Sequence, residues 1–490
     1  MQGTVFLSKE CQGPEMTETI THKKAPSRLG TEKVGKLLLE FSVPAIIGMI
    51  CSMLYNIVDT IFLGHALGEV GVAVTTLAIP VMTVLMGFSL MAGQGGNALT
   101  AILMGQGRHE EVEETVGNTT LLLIILALII ALLGFIAIDP ILVIIGTSQE
   151  IYHETKVFVQ IIMSGFITLS LGMGMNNFLR TMGKPNLALG TNILGTTSCI
   201  ILNWLFVIQM RLGIEGSAVA TIMGQGIAAC PVLWYMCCSK QAAFHIRLSK
   251  MRPKPRLMFK ILSLGIASFV MQVAATLVSI VLNQLLTHYG SLNPEIGAAG
   301  ALASIGVAQR AALIAIMPLV GLIIGAQPII GYNFGAKNWQ RVLDTLKLGC
   351  LVATIFATAF FVVAHLFPYQ LIGLFGIEEH LHEFSSFALK LYTIFFPLVG
   401  FQIMGSSYFQ SSGQPIKSAI LEMTRQIIFL IPLYLILPPL LEAQFGVDPL
   451  VSIILSVPLS DILAVLVTSV FVFKEVHKLR KLRDEANNIA

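Results

Sequence analysis

The chain has 490 residues, 55% hydrophobic and 12% charged, with a formal net charge of +3. Ordinary soluble domains carry about a quarter charged residues, so a soluble fold of this length lacks the charge to cover its surface. About twelve helical spans of about 20 residues each would use roughly half the chain, which leaves no room for a large soluble domain.

Residues 1–37 are polar and mildly basic, without an apolar leader core or a small-residue cleavage site, and read as a cytosolic tail. Apolar runs of spanning length follow near 38–63, 70–104, 114–138, 152–176, 186–209 and 216–238, an N-terminal six-helix lobe over 38–238. Residues 239–256, basic and holding Pro253 and Pro255, read as a cytosolic linker. Further runs near 257–288, 297–332, 342–367, 385–409, 417–440 and 447–473 form a C-terminal lobe over 257–473, and 474–490 is a basic cytosolic tail. The expected fold is an all-α integral membrane protein.

Alternate loops sort by charge. Arg108, Arg180, Lys184, Lys337, Arg341, Lys417, the linker and both tails fall on one side, with little more than Lys156, Arg211 and Lys390 on the other. By the positive-inside rule both termini are cytosolic, in a cell (inner) membrane. The basic tail beside a span greets anionic headgroups, so no nucleic-acid partner is expected.

The halves repeat at one spacing, that from Gly105 to Gly335. It aligns Gly105–Val112 with Gly335–Val342, Arg180–Pro185 with Gln410–Pro415, Gly146 with Gly376 and Gly216 with Gly446. Six spans per copy is even, so the copies are parallel repeats, two lobes around a central cleft. Gly183 and Gly413 suit turns, and Pro185 and Pro415 suit the first turn of the following helix.

Polar residues inside spans are the candidate site residues. Asp59 lies deep in span 1, where a carboxylate costs roughly 2.5–3.5 kcal/mol on insertion scales, and Ser52, Tyr55 and Asn56 share its helical face. Asn192, Thr196, Cys199 and Asn203 form one stripe in span 5. Asp59 reads either as an ion-handling group or as a structural hydrogen-bonding partner, and Asn203 as a site residue or as interhelical glue. Pro44, lacking an amide hydrogen, is expected to bend span 1. In the second half Arg310, Arg425, Asp461 and Glu422 are buried charges of either structural or gating role. Arg425 could pair with Glu422, three residues away, and Arg310 with Asp461 across the lobe.

In order, spacing and duplication, Ser42–Ala45, Tyr55–Thr60, the Gly105 loop, Arg180–Pro185, Gly216–Thr221 and Tyr332–Gly335 resemble the MATE (multidrug and toxic compound extrusion) family. That resemblance implies a secondary transporter of alternating access, exporting amphipathic organic cations or drugs in exchange for protons or sodium. It looks like the prokaryotic branch whose N-terminal lobe handles the ion, with Pro44 and Asp59 at the proline and aspartate of that branch. Thr221 matches the branch, whereas Cys199 stands for its usual Asn and Asn203 for its usual Asp. A sodium site wants hard oxygen ligands, so protons are favoured over sodium. No other cofactor is expected, and a monomer is.

A lipid-linked oligosaccharide flippase of the same superfamily is the alternative reading. It would want several cavity cations, and only Arg310 and Arg425 qualify. An intramembrane enzyme is more remote. The ten histidines are scattered, the densest cluster being His380 and His382 beside Glu378, Glu379 and Glu383 on an outer loop, and the seven cysteines show no metal spacing. The 21 methionines and 28 phenylalanines suit an adaptable apolar cleft, though none is singled out as a contact.

Overall fold

The computed structural model describes residues 28–145, 147, 149–375 and 378–489, with only the backbone described for residues 56, 57, 59–61, 64–69, 72, 248 and 489. Gly146 and Gly376 lie outside the described residues. Among the described residues ten helices are long and apolar enough to cross a membrane, or up to twelve when two bent pairs each count as one span. In the first half these are Val34–Tyr55 (span 1), Ala73–Gly105 (span 2), His109–Ile136 (span 3), Gln149–Ser164 with Phe166–Thr181 (span 4), Pro185–Gln209 (span 5) and Gly213–Cys238 (span 6). The second half has Pro255–Leu292 (span 7), Gly297–Gly335 (span 8), Trp339–Leu366 (span 9), Glu379–Thr393 with Phe396–Ser411 (span 10), Pro415–Phe445 (span 11) and Pro449–Asn488 (span 12).

Helical backbone continues without a break from Val34 to Gly105. Gly30, just before it, packs on the Tyr332 ring, and Gly105 at its far end packs on the Tyr332 carbonyl. Both ends therefore meet one residue, and spans 1 and 2 run antiparallel. The tail at 474–490 is helical as far as Ile489 and extends span 12.

Duplication is visible in backbone detail. Spans 4 and 10 break at matching places, by 53° and 47°. Gly183 and Gly413 both take φ of 78°, a left-handed conformation in which a side chain is strained, and Pro185 and Pro415 open the following helices. The turn after span 2 uses Gly107 at φ 73°, while its counterpart after span 8 uses Lys337 at φ 56°. Gly446 takes φ of 65°, and in the turn before span 6 the left-handed residues are Arg211 (φ 52°) and Gly213 (φ 62°). Spans 5 and 11 each carry a π-helical turn, Trp204–Gln209 and Thr424–Leu430.

The apolar cores separate by lobe with one exchange. Leu29, Leu37, Leu38 and Phe41, from the start of the chain's first span, sit in a core otherwise built from the second half. Ile261 and Leu264, from the start of span 7, sit in a core of the first half. Polar contacts hold each crossing. Arg341 Nη2 donates to the carbonyls of Leu29 (3.1 Å) and Glu32 (2.5 Å), and Asn333 Nδ2 donates to Leu29 (3.0 Å). On the other side the Lys254 amide donates to Asn118 Oδ1 (2.9 Å), and Lys250 and Lys254 reach Glu110 (2.6 Å) and Glu114 (2.7 Å). Glu110 holds the Lys250 ammonium above lysine's ordinary pKa.

Small residues let the lobes touch at this end. A methyl on Gly95 would strike the Ile261 carbonyl, and one on Gly265 the Met91 carbonyl. Gly325, the repeat counterpart of Gly95, meets Ser42 in the same way, and Gly321 meets Ile46. Gly105 and Gly335, counterparts of each other, abut the carbonyls of Tyr332 and Ile102. The end bearing Gly105, Gly335 and most of the basic residues is thus closed.

Candidate functional site

Span 5 begins at Pro185 and stays regularly α-helical to Asn203, so the stripe read from its sequence keeps one face. Burial deepens along it: Asn192 and Thr196 are half-buried, whereas Cys199 and Asn203 are completely buried. Asn192 meets span 1 at Gly48, where its Nδ2 stands 3.0 Å from the position a Cβ would take. A side chain at position 48 would push the two spans apart.

Cys199 Sγ lies 3.9 Å from the Thr221 carbonyl on span 6 and fills the space a side chain at Gly224 would need. The Thr221 hydroxyl pairs with Tyr55 on span 1 at 3.1 Å. Spans 1, 5 and 6 therefore converge on Tyr55, Cys199, Asn203 and Thr221. Asp59 stands one helical turn beyond Tyr55 on helical backbone, but the side chains of Asp59 and Asn56 lie outside the described residues. Pro44 is buried inside the same helix, below Gly48.

Asn203 is the exceptional member. It is fully buried, and among the described residues neither its Oδ1 nor its Nδ2 has a hydrogen-bond partner. An amide buried this way costs about 1–3 kcal/mol per unmet group. It sits where span 5 passes from α to π geometry, an irregularity that recurs at functional sites.

The C-terminal lobe treats its charges differently. Arg425 Nε donates to Asp461 Oδ1 at 2.8 Å, linking spans 11 and 12, with Asp461 3% and Arg425 18% exposed. Ser460 Oγ donates to the Arg425 carbonyl at 2.6 Å. Glu422 accepts a hydrogen bond from Ser406 on span 10 at 2.6 Å. Neither expected pairing forms. Arg425 turns its guanidinium to Asp461, Glu422 is taken by Ser406, and Asp461, claimed by Arg425, is not joined to Arg310. Arg310 is exposed in the interior of span 8.

One buried charge was read from the sequence as a loop residue. Arg180 is 2% exposed and donates from Nη1 to Asn176 (2.9 Å) and Asn177 (2.8 Å). The two asparagines, three and four positions earlier on the helix, were the available signal. Its counterpart Gln410 donates instead to Ser268 at 2.8 Å. His380 lies 3.3 Å from Glu378, both well exposed, and among the described residues no three His, Cys, Asp or Glu are placed to hold a metal.

A family model described as MatE matches residues 44–205 and 267–436, one match in each repeat. Multidrug export protein MepA of Staphylococcus aureus (strain MRSA252) is 24% identical over 441 residues, which cover 90% of this chain and 94% of that protein. An outward-facing multidrug resistance MATE family transporter of the MOP superfamily shares the fold at TM-score 0.84 and 20% identity, over 93% of this chain and 99% of that one. A MATE captured in the bent conformation gives TM-score 0.85 and 21% identity, over 94% and 99%.

Proposed function

Because the chain belongs to the MatE family of membrane transporters, we propose that it exports amphipathic organic cations or drugs by alternating access, driven by proton antiport through Asp59. The relatives it matches are transporters and not enzymes. With both termini cytosolic, as the loop charges indicate, the closed end faces the cytosol and the cleft opens outward.

The observation that carries the coupling reading is the Asn203 amide, unpartnered among the described residues one helical turn beyond Cys199, which itself meets Thr221 as Tyr55 does. A site with unmet polar atoms and no packing reason for them suits a transient occupant, such as a hydronium or a water relaying a proton. It suits sodium less. A thiol and an amide stand where harder ligands would serve that ion better, and Asn203 brings no second negative charge. Pro44 supports a moving span 1, since a proline inside a helix leaves one carbonyl without its usual donor.

The flippase alternative has less support. A pyrophosphate would want several free cations in the cleft, and Arg425 is already tied to Asp461.

The test is ethidium efflux from proteoliposomes under imposed pH or sodium gradients, for wild type, Asp59→Asn and Asn203→Asp. The pH gradient alone should drive wild type, Asp59→Asn should stop it, and Asn203→Asp should add sodium dependence. Sodium-driven efflux in wild type without a pH gradient sinks the proton reading. Efflux that survives in Asp59→Asn moves coupling elsewhere.

A further inference from the structure

Proton-coupled cation export leaves Arg310 without a task. It lies within span 8, far from either end of the helix, is exposed, and has no ion pair among the described residues. A guanidinium at such a position cannot face lipid without heavy cost, so it marks a watered surface.

Its direction follows from the helix. Gly321 and Gly325 of span 8 pack on Ile46 and Ser42 of span 1. Moving outward along that same stripe come Ile314, about two turns from Gly321, and Arg310, about three turns away. Both are exposed. The stripe that span 1 covers near the closed end is therefore uncovered at Arg310, which faces the gap between the lobes.

Span 7 repeats the pattern. Gln272 abuts Gly87 of span 2, and Asn283, about three turns outward on the same stripe, is exposed. Spans 7 and 8 are antiparallel neighbours whose shared turn sets Gly290 against Ala298 and Ala301. That register brings Asn283 and Arg310 to depths within about one helical turn. On span 1, Met53 continues the stripe of Ile46 about two turns outward, within about one helical turn of Arg310 in depth, and offers a soft apolar surface.

We propose that Arg310, assisted by Asn283, is an anion-recognising subsite in the cleft that takes the carboxylate of amphipathic substrates. The guanidinium fork matches a carboxylate with two parallel hydrogen bonds, and a carboxamide adds one N–H donor. The cargo this favours is an aromatic zwitterion, its cationic apolar body against the methionine surface and its carboxylate on span 8. Simple cations lacking the acid gain nothing from Arg310. The subsite rests on the export reading above and narrows its substrate class.

A rhodamine bearing a free carboxylate and its methyl ester, identical otherwise, separate the two ideas. Binding to the purified full chain is followed by fluorescence anisotropy, and efflux from proteoliposomes by dye release. Gradient-driven efflux of the ester reports the export reading; the acid-to-ester affinity ratio reports the subsite. Wild type should prefer the acid. Arg310→Gln should cut affinity for the acid roughly tenfold or more and change that for the ester less than about twofold. Arg310→Lys should retain part of the preference. Should Arg310→Gln not fold, Asn283→Leu must still lower the ratio. Equal wild-type affinity for acid and ester, or a parallel loss of both in a folded Arg310→Gln, overturns the subsite.

Discussion

The two lobes share a backbone plan and differ in how they pair their buried charges. Spans 4 and 10 bend alike, spans 5 and 11 both carry a π turn, and both lobes use the same glycine turn at Gly183 and Gly413. Yet the C-terminal lobe pairs its buried charges, Arg425 with Asp461 and Glu422 with Ser406, although it too buries an amide, Gln402, without a partner among the described residues. The N-terminal lobe keeps hydroxyl, thiol and amide groups together and leaves Asn203 unmet. Duplication fixed where helices bend. The residues near the two π turns then differ, an ion pair at Arg425 in one lobe and the unpartnered Asn203 in the other.

The largest expected effect breaks the locked lobe. Asp461→Asn leaves Arg425 buried without its counter-charge and should cost about 3–5 kcal/mol, read as thermal unfolding in detergent. Replacing both partners by apolar residues of similar size should recover most of it. A loss below about 1 kcal/mol would mean the pair is not desolvated and the contrast between lobes is false.

A smaller effect of opposite sign is expected in the open lobe. Asn203→Leu removes a buried amide with no partner and should leave stability unchanged or raise it by about 1 kcal/mol, while coupled efflux falls. Lost stability with intact efflux would show that Asn203 is interhelical glue. The smallest effect concerns a turn where the repeats differ in residue type, Gly107 against Lys337. Lys337→Gly relieves a left-handed side chain and should stabilise by about 1 kcal/mol, and Gly107→Lys should destabilise by a similar amount. No change at either site would mean the turns are not equivalent.

Several of these features were legible in the sequence for a physical reason. Gly183, Pro185 and their counterparts are local: each needs only the conformation of its own residue. The stripe from Asn192 to Asn203 was legible because a regular helix converts spacing into a face. It held only because the π turn begins after Asn203. In span 11 the same rule suggested Arg425 with Glu422, but each found a partner on another span, Asp461 and Ser406, which spacing within one helix does not reveal. Arg180 was misplaced because a basic residue near a span end has the same local pattern whether it meets water or two asparagines.

The chain's class, its roughly twelve spans and its duplication were therefore determined by the sequence alone. Transfer into a bilayer is a sum over about 20 neighbouring residues, and a repeat is a property of the text itself. Only the tertiary structure decided that the first spans of the two halves cross into opposite lobes, that Arg425 holds Asp461, and that Arg310 is left exposed without an ion pair among the described residues. Those outcomes depend on how helices rotate and at what depth they meet, which is set by contacts between residues hundreds of positions apart.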